Sequence, residues 1–483
     1  LGLDAAEPST WARIPNSFVA TLRERGAFGR LVGNHEFLTD TVWPEIRTGS
    51  SAARTGVYFQ PSQIPTGSSR ARARRADELA PAHSYWNWIA QRGLRVAAVD
   101  QPVSPPLRGG GAVEVCEWGT HDRLGFDGGP DDPVAANIVE RHAPYPVWSC
   151  DQRNDGSRRA QDDLFDDLYR AVGRKSSLVS ELLSMQSWDL FTAAFSECHC
   201  VGHQFWPVDP ADTHEAVIAV YSEIDRALAA IAALGGRDCT VMVYCSHGMS
   251  PADHGTRLVA PVLERMGLAH VRNRRRRWLG SILPEAAKRC ARRVLDRETI
   301  QRSGFGVDWP LDDPETIAIP LPNSRHGAIR LSLAGRDPGG TIEAGSAGQR
   351  RVIEDIRAGF SALRDVATGD PVVEDVIVID EVLGDHRHPD LPDLVVRFRR
   401  DLGVIGDCRS DALGTIRVPL GTQRKGEHGT PGAIWAFGSG IEAGTDLGDV
   451  RTIDLAPTVI AALGLPLPDW IDGTPLAVPL GRG

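Results

Sequence analysis

Six short apolar runs recur along the chain, each stopping at a polar residue or a glycine. They are RVAAVD (95–100), LFTAAFSE (190–197), TVMVYCSHG (240–248), VEDVIVID (373–380), DLVVRF (393–398) and GAIWAFG (432–438). Runs that are apolar on both faces and bounded by turn signals suit strands buried from both sides, which is the habit of mostly parallel sheets. Between them the period changes to that of a helix. HEAVIAVYSEIDRALAAIAALGG (214–236) is a long amphipathic helix closed by glycine, and IDLAPTVIAALG (453–464) is a second, with Asp454 near its start and Gly464 at its end. Strand, helix and strand in that order predict an α/β fold: a mostly parallel central sheet with helices on both faces.

At 483 residues the chain is too long for one small domain and suits one large α/β domain with insertions. Two stretches break the rhythm: residues 60–82, rich in Ser, Arg and Pro, and residues 265–345, which open on the basic run RNRRRRW (272–278). We therefore assign 1–254 and 426–483 to the core, and 255–425 to an inserted cap region that also holds some core strands. The basic run is read as a solvated face rather than a phosphate or RNA contact. With 63 acidic against 53 basic residues the chain carries a formal net charge of −10, which argues against a nucleic-acid partner. No apolar run approaches the roughly 18 residues of a membrane helix, so no membrane partner is expected. The eight cysteines form no CxxC pair and no disulfide rhythm. They are read with a reducing, cytoplasmic compartment, no signal peptide being visible. The start LGLDAAEP reads as the end of a strand that begins before Leu1.

Candidate ligands collect at strand ends, where open α/β sheets place their sites. Asp4 follows the first apolar residues, His199 and His203 follow the run ending near Glu197, His247 follows VMVYCS, and His428 precedes GAIWAFG and reaches the same end from a loop. His199 and His203 are spaced i, i+4, which on a helix puts both imidazoles on one side and suits a transition metal. A third histidine would complete a three-ligand site. Trp43, His121 and Asp122 (the last two within EWGTHD), His326 and Arg330 are candidate substrate contacts. Arg336 is a further candidate phosphate clamp. Cys198 and Cys200 bracket His199 and are read as small buried residues rather than thiolate ligands.

Four blocks, in order and spanning nearly the whole chain, resemble the alkaline phosphatase superfamily, in particular its type I phosphodiesterase/nucleotide pyrophosphatase branch. They are GLDAAEP; TDTVWPEIRTG (39–49); SECHCVGHQFW (196–206) with YCSHGM (244–249); and GEHGTPGAIWAFGSGI (426–441) with the closing helix. NSRHGAIRLSLAGRDPGG (323–340) is similar to a segment common in the branch. The resemblance implies a metal-dependent phosphoester hydrolase with Thr39 as nucleophile and a phospho-enzyme intermediate. It implies one cation, zinc by expectation, on His199, His203 and His428. A second would lie on Asp4, Thr39 and the pair Ser246–His247. The substrate would be a small anionic ester.

The chain departs from that pattern twice. His199 stands where the family usually has Asp, and Ser246 stands where it usually has Asp before the histidine. Two carboxylates are gone, so the second cation should bind weakly or be absent, unless Asp253 or His254 substitutes. An alternative follows: a remodelled single-metal enzyme of the same fold, doing phosphoryl or sulfuryl transfer or an elimination. A non-catalytic binding protein is a third reading, opposed by the retained Thr39 and histidines. No cysteine has the CxPxR context of sulfatases, and the Asp-Ser-Ala nucleophile block of bacterial alkaline phosphatases is absent.

Overall fold

The computed structural model describes the chain except residues 60–62, 66–70, 74–82, 122, 124–128, 148–149, 154–156, 208–214, 271–314, 322, 324, 338, 385, 418–423 and 478–483. The candidate Asp122 and the basic run 272–278 therefore lie outside the described residues. The chain divides into two compact units. One comprises Leu1–Thr55, Ala76–Ala252 and Gly421–Gly483; the other comprises Gly56–Arg75 and Asp253–Leu420.

The first unit holds an eight-stranded sheet. Its order across the sheet is Thr445–Arg451, Ala27–Val32, Gly426–Gly438, Thr240–Pro251, Gly2–Leu3, Leu190–Phe195, Val96–Val99 and Val113–Val115. All neighbours pair parallel except Gly426–Gly438, which runs antiparallel to both of its partners. The alternation of a strand explains why the runs are apolar throughout. Ala193, Phe195, Val243, Cys245, Ala433 and Trp435 face one core, with the helices Arg158–Ser184 and Glu215–Leu234. Ala194, Tyr244 and Ile434 face another, against Val42, Trp43 and Ile46 of the helix Val42–Thr48. Helices thus cover both faces, as the periodicity predicted.

The second unit has a core of its own. Its four-stranded antiparallel sheet runs Val373–Val378, Leu394–Phe398, Gly327–Leu331, Ala318–Leu321, with the helix Ala347–Ser361 contributing Ile356 and Phe360 to that core. VEDVIVID and DLVVRF, expected among the mostly parallel strands, are here antiparallel partners. A strand buried on both faces reads the same in sequence whichever direction its neighbour runs. None of the described residues forms a helix long and apolar enough to cross a membrane.

Candidate active site

The end of the sheet where Gly2–Leu3 finishes gathers the predicted side chains of the first unit. Asp4 comes directly after its strand and is 3% exposed. Its backbone is fixed by Asp4 N–H donating to Phe195 O at 2.9 Å and by Cys198 Sγ–H donating to Asp4 O at 3.0 Å. The carboxylate is claimed at both oxygens. Trp43 Nε1–H donates to Oδ1 at 2.7 Å, and His199 Nδ1 lies 2.7 Å from Oδ2. Burial alone would raise the Asp4 pKa. The charge and hydrogen bond of His199, with His247 and the Trp43 indole, reverse this and hold it well below the usual carboxylate range. Trp43, expected as a substrate contact, is buried and supports Asp4.

His199 and His203 lie on the helix Glu197–Phe205, one turn apart as the i, i+4 spacing required. Two close approaches press that helix against its neighbours. A Cβ on Gly202 would meet the Met249 side chain at 2.8 Å, and one on Gly426 would meet Gly202 O at 2.4 Å. Glycine at both positions brings the strand carrying His428 close to the helix carrying His203. His247 and His428 are not strand-flanking residues as expected. Thr240–Pro251 runs twelve residues and Gly426–Gly438 thirteen, so both histidines lie inside strands. The long strands pair as His428↔Met249 and Pro431↔His247 across a bulge. That register leaves the two imidazoles with ring centroids 4.2 Å apart.

The imidazole nitrogens of this cluster lie close together. His203 Nδ1 lies 2.8 Å from Gly426 O, and a carbonyl only accepts, so Nδ1 carries the proton. His199 Nδ1 likewise donates to the Asp4 carboxylate. A neutral ring protonated at Nδ1, as His203 is, has a bare lone pair at Nε2. The Nε2 atoms of His199 and His203 nevertheless face each other at 2.8 Å, and His428 Nε2 lies 2.8 Å from His199 Nε2. Nitrogens around a zinc-class cation at roughly 2.0–2.1 Å stand about 3.3 Å apart, so each of these two close pairs needs to part only by about half an ångström. The mutually close groups are His121, His199 and His203 on one side and His203, Glu427 and His428 on the other. A carboxylate and a carbonyl fixing the far nitrogens is the usual support of metal-ligating imidazole. Burial first, then neighbouring histidines and Arg424, pushes His203 well below the ordinary histidine pKa. Burial, then His247 and the other histidines, does the same for His428. Both are therefore neutral, as a ligand must be. These residues fit a bound cation.

Ser246 does not point to a second one. Its Oγ accepts from Ala5 N–H at 3.0 Å, tying the strand Thr240–Pro251 to the segment after Asp4. Asp253, considered as a substitute, belongs to the second unit, where it accepts from Gly255 N–H at 2.8 Å and faces Arg325 at 3.7 Å. His254, the other substitute, also falls in that unit and has a left-handed backbone, φ 62°. Arg330 donates to Asp337 Oδ1 and Pro389 O, each at 2.6 Å, and Arg336 pairs with Asp337 and Asp393. Both predicted clamps are thus spent inside the second unit, where His326 is also buried. Thr39 opens the turn Thr39–Thr41 ahead of the helix Val42–Thr48 and is 1% exposed. It stands four residues before Trp43.

Two groupings escaped the sequence reading, in which His121 is only a substrate contact and Cys200 only a buried thiol. His121 stacks on His199 with ring centroids 4.0 Å apart, and its Nδ1 faces Cys200 Sγ at 3.1 Å and Cys150 Sγ at 3.5 Å. Lys175 is fully buried, 3.0 Å from Asp100 and 3.6 Å from Glu197, and donates to Gly119 O at 2.8 Å. Asp100 also accepts from Trp118 and Gly119 N–H, both at 2.7 Å. This ion group joins the first residue of the histidine helix to the loop that carries His121. The signal for it was Lys175 falling on the apolar stripe Leu164, Leu168, Ala171, Leu178, Leu182.

The family profile for type I phosphodiesterase/nucleotide pyrophosphatase matches residues 1–306. No curated protein matches the chain. Among solved structures it is similar to wild-type alkaline phosphatase PafA at 13% identity and TM-score 0.56, covering 99% of this chain and 98% of that one. Phosphonoacetate hydrolase from Sinorhizobium meliloti 1021 is similar at 14% identity and TM-score 0.52, with 96% and 95% covered. Murine ectonucleotide pyrophosphatase/phosphodiesterase 5 aligns at 13% identity and TM-score 0.49, with 97% and 95% covered. At these identities the likeness to PafA and to the hydrolase is one of fold. With the profile match covering more than half its length, the chain belongs to the type I phosphodiesterase/nucleotide pyrophosphatase family of the alkaline phosphatase superfamily and is a phosphoester hydrolase.

Proposed function

We propose that the chain hydrolyses a small anionic phosphate ester through Thr39, with one divalent cation, zinc by preference, held by His199, His203 and His428. The observation that supports this most directly is the close approach of the His199 and His203 Nε2 atoms, 2.8 Å apart, with His428 Nε2 2.8 Å from the first. Asp4 then acts one shell out. It orients His199 instead of ligating a second cation, and Ser246 offers that cation no carboxylate. When bound, the cation supplies positive charge that stabilises a phosphate's non-bridging oxygens and eases ionisation of a nearby hydroxyl.

The chain's own residues do the rest. Trp43 and His199 hold the Asp4 carboxylate from both sides, so its charge is fixed in place. Burial of Thr39 keeps bulk water from its hydroxyl. Thr39 Oγ gives up its hydroxyl proton and forms the bond to phosphorus as the bond to the ester's alcohol oxygen breaks and that oxygen takes up a proton. Attack of water on phospho-Thr39 then restores the hydroxyl and releases the phosphate moiety. Cytoplasmic residence and action on a soluble ester belong to the same proposal.

Thr39→Ala tests the mechanism. With a chromogenic phosphodiester, activity is expected to fall at least 1,000-fold while the metal content holds, on the order of a lost nucleophile. Activity within about tenfold of wild type would overturn the covalent route.

A further inference from the structure

We infer that the first unit carries a second, thiolate-bearing metal site formed by His121, Cys150 and Cys200. The three side chains come from separate places in the sequence. His121 follows the strand Val113–Val115, Cys150 opens the short helix Cys150–Arg153, and Cys200 lies on the histidine helix. They nonetheless converge, with one ligand atom from each lying within 4.8 Å of the others and all three residues buried. Both cysteines are free thiols. Cysteines buried merely as small apolar residues would be surrounded by apolar groups. Here Cys200 Sγ is 3.1 Å and Cys150 Sγ 3.5 Å from His121 Nδ1, and Gln204 Nε2 lies 3.7 Å from Cys150 Sγ.

Two thiolates and one imidazole are a donor set for zinc-class or other soft cations. Charge favours it too. Binding releases the two thiol protons to solvent, and a divalent cation with two thiolates is neutral overall, which a buried setting tolerates. The ligands are distinct from His199, His203 and His428, although His121 stacks on His199 and stands close to His203, so the two sites adjoin. Its position suggests what it does. It clamps the loop bearing His121 and the segment at Cys150 to the helix that presents His199 and His203. Cys200 and Gln204, one helical turn apart, face that clamp on a different side from the catalytic pair.

Zinc-edge X-ray absorption of the reduced, zinc-loaded full chain tests the proposal without any substitution. A sulfur shell at about 2.3 Å is expected beside nitrogen scatterers. Scattering from nitrogen and oxygen alone, at full zinc loading, overturns it and leaves the three-histidine reading standing. Cobalt substitution adds a second readout. A sulfur-to-cobalt charge-transfer band is expected in wild type and in His428→Ala, and it should be lost in Cys150→Ser and Cys200→Ser together with one equivalent of metal. A band that survives both serine variants, or that vanishes in His428→Ala while they keep it, refutes the assignment.

Discussion

Replacing Asp4 by Asn probes whether this carboxylate ligates a cation or orients a ligand. Both of its neighbours donate hydrogen bonds: Trp43 Nε1–H at 2.7 Å to one oxygen and His199 Nδ1–H at 2.7 Å to the other. An amide has one accepting atom and one donating group, so it cannot serve both. Indole can only donate, so the amide oxygen should turn to Trp43 and the NH2 to His199 Nδ1. That orientation draws the His199 proton to Nε2 and covers the lone pair meant for the cation. Loss of such an outer partner weakens metal binding typically 10- to 100-fold, about 1.4–2.7 kcal/mol. Competition against a chromophoric chelator should therefore show a weaker constant for one equivalent with the stoichiometry unchanged. If Asp4→Asn, assayed in a Cys150→Ser background that removes the thiolate site, instead lost a full equivalent and left a remaining equivalent at its wild-type affinity, Asp4 would be a direct ligand and the single-cation reading would be wrong.

Lys175→Met leaves Asp100 and Glu197 buried without their cation, which should cost about 3–5 kcal/mol, and adding Asp100→Asn should recover part of it. A thermal midpoint within about 1 °C of wild type would show that Lys175 is not supporting the histidine helix. The depressed pKa values of His203 and His428 give the metal-free protein a pH dependence of definite sign. Below the unfolded value near 6.5 the unfolded chain binds protons that the folded chain refuses. Stability should thus fall as pH drops from about 6.5 toward the depressed values, and a midpoint that is flat or rises between pH 7 and 5 would contradict it.

What the sequence carried and what it did not divide along physical lines. The runs around Val96, Phe195 and Ala433 were legible as strands because burial on both faces leaves a continuous apolar signature. The same signature around Val376 and Val396 said nothing of pairing direction, and those strands went to another sheet. Convergence of Asp4, His199, His203, His247 and His428 was legible because α/β sheets collect such residues at one end. The hydrogen bonds of Asp4 to His199 and Trp43 were not, since a carboxylate that binds metal and one that pairs with a histidine place the same demand on sequence. Cys150 was invisible because its partners are fifty residues on and twenty-nine back. Lys175 was missed through the ordinary expectation that a lysine in an amphipathic helix faces water.

The two departures from the family pattern have one electrostatic consequence when taken together. The usual site sets two divalent cations against three carboxylates, leaving one net positive charge. With His199 and Ser246 in place of two carboxylates, a single divalent cation against Asp4 leaves the same net charge. Losing both carboxylates without losing a cation would raise the charge by two and hold a phosphate product tightly; losing a cation alone would leave the site negative and repel the substrate. On the proposed single-cation reading the pair of substitutions and the loss of one cation belong together, and Ser246→Asp should break the balance. The new carboxylate can keep the hydrogen bond from Ala5 N–H that Ser246 Oγ now accepts. At limiting metal the site should then be neutral. A unit charge about 5 Å away at an effective dielectric of about 20 is worth roughly 3 kcal/mol, so KM for an anionic ester should rise by up to about 100-fold. Excess zinc should reverse much of this by adding one equivalent of bound cation. If Ser246→Asp folds as wild type, gains no cation in excess zinc and keeps its KM at limiting metal, the charge argument fails.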